Sequence, residues 1–72
     1  MDNEQVLGII EALIFVSGDP VPIKRLEEVL EITEEEIREA ILVLMERYTE
    51  VHSSIQILEV AGGFQLRTRP QF

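Results

Sequence analysis

The run from Val6 to Val16, VLGIIEALIFV, constrains this chain more than any other stretch, because only Gly8 and Glu11 interrupt its apolar character. It stops at Ser17-Gly18-Asp19-Pro20, where glycine suits the left-handed position that closes a helix and proline forbids continuation. The β-branched Ile9, Ile10, Ile14 and Val16 keep a buried strand in play. Glu4 and Glu11, however, lie seven apart and share a face at about 100° per residue, which favours a helix. On that helix Val6, Ile9, Ile10, Leu13 and Val16 make one stripe, Leu7 and Ile14 flank it, and Phe15 sits near Glu11 on the far side. A helix facing one core needs an apolar arc of roughly 100°, so this one has apolar surface to spare. Either the fold wraps it from both sides, or the surplus meets a second copy, another domain or a partner.

Asp19-Pro20-Val21-Pro22 must be extended, since each proline pushes its predecessor out of the α region, and a very short strand near Val21 fits there. Pro22 suits a first helical turn. Ile23, Leu26, Val29 and Leu30 follow at helical spacing, with Lys24, Arg25, Glu27 and Glu28 turned to water, and this second helix ends near Glu31-Ile32. Thr33-Glu34-Glu35-Glu36 is a capping box whose acids also suit the positive end of the helix dipole. The third helix carries Ile37, Ala40, Ile41, Leu44, Met45 and Tyr48 on its core face and continues to about Glu50.

Thereafter the period changes. Residues 55–61, Gly62-Gly63 and 64–69 read as a β-hairpin closed by Pro70. With Ala61-Gly62-Gly63 as the loop, Val60 faces Phe64, Leu58 faces Leu66, Glu59 meets Gln65 and Ile57 meets Arg67. Leu58, Val60, Phe64 and Leu66 then share the core side. A two-residue Gly-Gly turn pairs Glu59 with Leu66, the poorer arrangement. Three helices, a short connection between the last two and a hairpin make an α+β, mainly α, winged helix-turn-helix. Residues 1–72 form a single winged-helix domain with the wing tip at Gly62-Gly63.

The third helix of such a fold commonly enters the DNA major groove. From Glu31 to Glu50 there are seven acidic residues against Arg38 and Arg47, a net charge of −5, and the whole chain carries −8. Phosphates repel such a surface, so neither sequence-specific DNA binding nor attraction to an anionic membrane is expected. Arg67 and Arg69, two apart on the last strand, are the candidates for a weak contact with a phosphate or an acidic partner; otherwise they are solvated charges. His52 is the only histidine, with Ser53 and Ser54 beside it in a turn too short to build a base and its orienter, and there is no cysteine. Glu34, Glu35 and Glu36 point in different directions, as a solvated cap does and a cation site does not. Gly62-Gly63 lacks the glycines and the helix of a phosphate loop. The residues therefore predict no catalytic, metal or cofactor site, no small-molecule substrate and no membrane span, and a cytoplasmic protein.

Glu11-Ala12-Leu13-Ile14-Phe15-Val16-Ser17-Gly18-Asp19-Pro20, followed about forty residues later by Glu59-Val60-Ala61-Gly62-Gly63-Phe64-Gln65-Leu66-Arg67-Thr68-Arg69-Pro70, resembles the segregation and condensation protein B family. The resemblance covers essentially the whole chain and stops after one winged helix, where family members carry two in tandem, so 1–72 looks like an N-terminal half. It implies a non-enzymatic subunit of a prokaryotic condensin-like complex, acting in chromosome condensation and segregation and reaching the nucleoid through that complex. It also implies a homodimer formed largely through N-terminal winged helices, bound to a kleisin subunit and through it to an SMC-type ATPase, with kleisin contact mainly on the second winged helix. Many relatives cap the second helix with Ser or Thr where this chain has Pro22, which predicts a shifted start. A domain of 72 residues buries only about 60% of its unfolded surface and gains from association. Leu7 and Ile14 are accordingly the expected homodimer residues, with Phe15 the one of the three best placed to be core instead. The alternative is a winged-helix transcriptional regulator touching DNA through Lys24, Arg25, Arg67 and Arg69.

Overall fold

The structure, a computed structural model, describes residues 2–50 and 54–70. Helix α1 (Asn3–Val16) is followed by strand β1 (Val21–Pro22), helices α2 (Ile23–Leu30) and α3 (Glu34–Glu50), and strands β2 (Ile55–Val60) and β3 (Gly63–Thr68). The antiparallel sheet has the order β1-β3-β2, so the short strand before α2 pairs with the returning arm of the wing. This is the winged helix-turn-helix expected.

Each helix start has a local cause. Asp2 and Gln5 form a capping box on α1, with the Gln5 amide 2.8 Å from Asp2 Oδ1 and the Asp2 amide 3.0 Å from Gln5 Oε1. The helix therefore begins three residues before the apolar run does. Pro22 is the N-cap of α2 and contributes no side-chain hydrogen bond. On α3 the Glu36 amide donates to Thr33 Oγ1 at 3.2 Å and the Thr33 amide donates to Glu36 Oε1 at 3.2 Å, as its sequence predicts.

The helix ends differ from expectation. Gly18 is not left-handed; α1 stops because Ser17 turns extended and its hydroxyl donates to the Asp19 carbonyl at 2.7 Å. Helix α2 ends on a left-handed Glu31, whose amide donates to the Glu27 carbonyl at 2.8 Å.

The core gathers Leu7, Ile10 and Ile14 of α1, Ile23, Leu26 and Leu30 of α2, Ile37, Ile41 and Leu44 of α3, with Val21, Ile57 and Phe64 from the sheet. Helix α1 is thus rotated by about one residue step, about 100°, from the expected stripe. Val6, Ile9 and Leu13 move to its border and Val16 leaves it. A helix that is apolar nearly all round has no period to fix its bearing, so packing against α3 and the sheet decides it.

The hairpin closes through a two-residue turn, Ala61-Gly62, with φ of 49° and 79° as a type I′ turn requires. Glu59 pairs with Phe64, Leu58 with Gln65 and Ile57 with Leu66. The one-residue slip from the expected register puts Ile57 with Phe64 in the core and turns Leu58 and Val60 to the other face. Gly63 is needed elsewhere: a Cβ there would lie 2.8 Å from the Val21 carbonyl oxygen, so β1 approaches β3 only over a glycine.

Candidate protein-interaction surface

On the bearing set by its core packing, α1 also makes polar contacts with α3. Arg47 Nη2 lies 2.7 Å from Glu4 Oε1 and Nη1 lies 3.3 Å from Glu4 Oε2, a bidentate pair. That hydrogen-bonded guanidinium holds the Glu4 carboxyl below its ordinary range. Two turns further along α1, the Tyr48 hydroxyl donates to Glu11 Oε2. Burial and then the neighbouring Glu11 carboxylate push the Tyr48 hydroxyl up to about 12.

With that bearing fixed, Gly8, Ala12, Phe15 and Val16 face outward. Phe15 is 73% exposed and Val16 74% exposed, and space is open around Gly8, where an added Cβ would meet nothing within 4 Å. Two large apolar side chains thus stand beside a pair of small residues, a surface on which another helix could approach closely. The three residues expected at a homodimer interface divide between core and surface. Leu7, 6% exposed, and Ile14, 1% exposed, belong to the core, whereas Phe15 is the exposed one. The reason is the rotation already described, which turns the flank of the expected stripe inward.

Arg67 and Arg69 are not brought together as a free pair. Arg67 is exposed on β3 and its Nε donates to Gln65 Oε1 at 2.9 Å. Arg69 lies beyond the strand, half-buried, its amide bonded to the Ser54 carbonyl and its Nη2 donating to the Tyr48 carbonyl at 3.3 Å. That carbonyl lies near the C-terminus of α3, where a cation complements the helix dipole. On α3, Arg38 bridges Glu34 at 3.0 Å and Glu59 of the wing at 3.5 Å, and its bond to Glu34 raises its pKa further. The outward side of α3 otherwise shows Glu35, Glu39 and Glu46 around Leu42, which is 65% exposed.

Among the described residues no polar side chain is buried, no three metal-ligating groups converge, and no helix is long and apolar enough to cross a membrane. His52 and Ser53, weighed above as catalytic candidates, lie outside the described residues. Phe15 stands on the far side of α1 as its sequence position suggests, but nothing in the sequence singles out its outward companions Gly8, Ala12 and Val16, because Glu11 bonds to Tyr48 and so marks the side facing α3 rather than solvent.

Residues 8–72 match the family described as segregation and condensation complex subunit ScpB. Curated relatives called segregation and condensation protein B include one from Brevibacillus brevis, 39% identical over 72 residues, covering 99% of this chain and 37% of the relative. Another, from Caldanaerobacter subterraneus subsp. tengcongensis, is 47% identical over 65 residues, covering 90% of this chain and 39% of its own. The chain thus spans a little over a third of the length of these relatives. Among solved structures, a dimer of an ScpB N-terminal domain complexed with an ScpA peptide matches with a TM-score of 0.87 and 30% identity, over 94% of this chain and 85% of that one. ScpB from Mycobacterium tuberculosis, 22% identical over 100% of this chain and 45% of its own, matches in fold with a TM-score of 0.91.

Proposed function

We propose, from the premise that this chain belongs to the ScpB family of segregation and condensation complex subunits, that it is a non-enzymatic dimerisation and interaction module. It would act in the cytoplasm, within a condensin-like complex on the chromosome, together with a kleisin subunit and through it an SMC-type ATPase. The observation that carries this reading is the outward apolar face of α1. Phe15 and Val16 stand exposed beside Gly8 and Ala12 on a domain small enough to gain from association. Two copies meeting through this face about a two-fold axis bury the same residues from each side. The dimeric relative bound to an ScpA peptide supports both the self-association and the kleisin partner.

Phe15 and Val16 carry the contact in such a dimer, while the buried Leu7 and Ile14 support the helix from within. The competing reading, a DNA-binding regulator, has against it a third helix with Glu34, Glu35 and Glu39 around a single Arg38 at the positions that would meet base edges. Sedimentation equilibrium across a concentration series tests the proposal: a concentration-dependent dimer mass supports it, and a monomer at every concentration sinks it.

A further inference from the structure

Between the start of α1, the turn linking α2 to α3, and the middle of α3 lies an open groove of about 660 Å³. Its floor is apolar, built from Val6, Leu30, Ile32, Ala40 and Val43, of which Val43 is 40% exposed. Its rim is acidic: Glu31, Glu36 and Glu39 line it, and the Glu4–Arg47 ion pair closes the far end. Four carboxylates against one guanidinium leave the groove with a charge of −3. The side-chain carboxylates of Glu31 and Glu39 make no hydrogen bond or ion pair among the described residues, so they stay open to a cationic partner. The groove is on another side of α1 from Phe15 and Val16, because Val6 and Leu7 line it while the outward face does not.

We infer that this groove is a second docking site and that it takes a segment of another protein whose apolar side chains are flanked by Lys or Arg. The inference rests on reading the domain as a protein-binding module, and adds the seat and chemistry of one partner segment. Charge selects the occupant. A symmetric contact between two such grooves would set Glu31, Glu36 and Glu39 of both copies against one another, so a second copy is excluded here. Nucleic acid and phosphorylated metabolites are repelled for the same reason. A volume within the roughly 300–1,000 Å³ of sites that enclose ligand-sized groups gives room for several apolar side chains, Ala40 leaves the centre of the floor low, and the open carboxylates receive the flanking cations. The left-handed Glu31 contributes directly, since ending α2 there lets the chain turn so that Ile32 joins the floor while Glu31 stays on the rim.

The test is a display library of random peptides of about 15 residues, roughly four helical turns if helical, selected on the whole chain. Recovered peptides should pair apolar residues with Lys or Arg, and should shift the amide resonances of Ile32, Ala40 and Val43 on titration. Glu31→Lys with Glu39→Lys should weaken them by about tenfold or more, as should raising the salt. Both substitutions are on exposed side chains, and an unchanged circular dichroism melt shows that the fold persists. Phe15→Lys, which tests the dimer, should leave peptide affinity unchanged, so loss of one site is distinguishable from loss of the other. Failure to recover binders, recovery of acidic peptides, resonance shifts confined to Gly8 and Ala12, or indifference to the double substitution would each overturn the assignment.

Discussion

Ile14 and Phe15 are neighbours in sequence with opposite structural roles, and substituting each in turn separates folding from association. Phe15→Lys places a cation in the last turn of α1, where it suits the helix dipole, on a side chain already 73% exposed. Its effect on folding should stay within about 0.5 kcal/mol. Its effect on a two-fold dimer should be large. A phenylalanine carries roughly 150–250 Å², so about 150 Å² of Phe15 is available on each copy. At roughly 25 cal/mol per Å² a symmetric pair would gain about 7 kcal/mol if fully covered and about 3.5 if half covered. Taking the smaller value, the dimer weakens about 300-fold, since each 1.4 kcal/mol is about tenfold. Ile14→Glu instead removes roughly 2–3 kcal/mol of burial and forces a carboxylate into the apolar core at several kcal/mol more. A domain of 72 residues has only about 4–11 kcal/mol to lose. Sedimentation velocity and urea unfolding on both variants read the two effects. Phe15→Lys should be a folded monomer whose unfolding midpoint matches that of the parent chain at its most dilute, because association adds stability by mass action. Ile14→Glu should be unfolded. A Phe15→Lys protein with undiminished dimer mass would refute the interface, and a well-folded Ile14→Glu protein would refute the orientation of α1.

Gly63→Ala should cost about 1–3 kcal/mol in urea unfolding, because the added Cβ would sit 2.8 Å from a backbone oxygen of β1 that no side-chain rotation relieves. Tyr48 is the chain's only tyrosine and there is no tryptophan, so a tyrosinate absorption titration reads it alone. It should ionise near 12 rather than 10, and Glu11→Gln should lower that value. Because the folded pKa is the raised one, the associated stability is complete below 10 and is lost as pH rises through 12. Glu4 has the opposite sign: its pKa is lowered from 4.5, so its contribution is present above that pH and fades as pH falls below it, and Arg47→Met should abolish the shift seen by carboxylate NMR. Fluorescence anisotropy with duplex DNA should show no binding at low salt by a chain of net charge −8, and a steep negative salt slope would revive the regulator reading.

The sequence was most informative where a local signal and a clear period agreed. Thr33 and Glu36 announce α3, and the spacing of Ile37, Ile41 and Leu44 orients it. Asp2 and Gln5 spell the same kind of start for α1, hidden by the conspicuous apolar run after them. The run itself identified a helix without orienting it, since apolar residues on every side offer no contrast between core and surface. Register in the hairpin depended on which residues occupy the turn. The pair Gly62-Gly63 suggested a turn built on both glycines, but Gly63 is required beneath β1, and Ala61 takes the left-handed position in its place. The acidic groove draws on α1, the α2–α3 connection and α3 at once, so no single stretch contains its pattern.

The ties between α1 and α3 are also sensitive to salt and pH. Glu4 and Glu11 are seven residues apart, about 10 Å along a helix, yet they are fastened to the adjacent Arg47 and Tyr48. Two ties spread along α1 and anchored on neighbouring residues of α3 add to the packing between the two helices. The Glu4–Arg47 tie is exposed and screened by salt, and the Tyr48–Glu11 tie loses its proton as pH rises through about 12, so salt and alkali together leave the core contacts of Leu7, Ile10 and Ile14 to hold α1 alone.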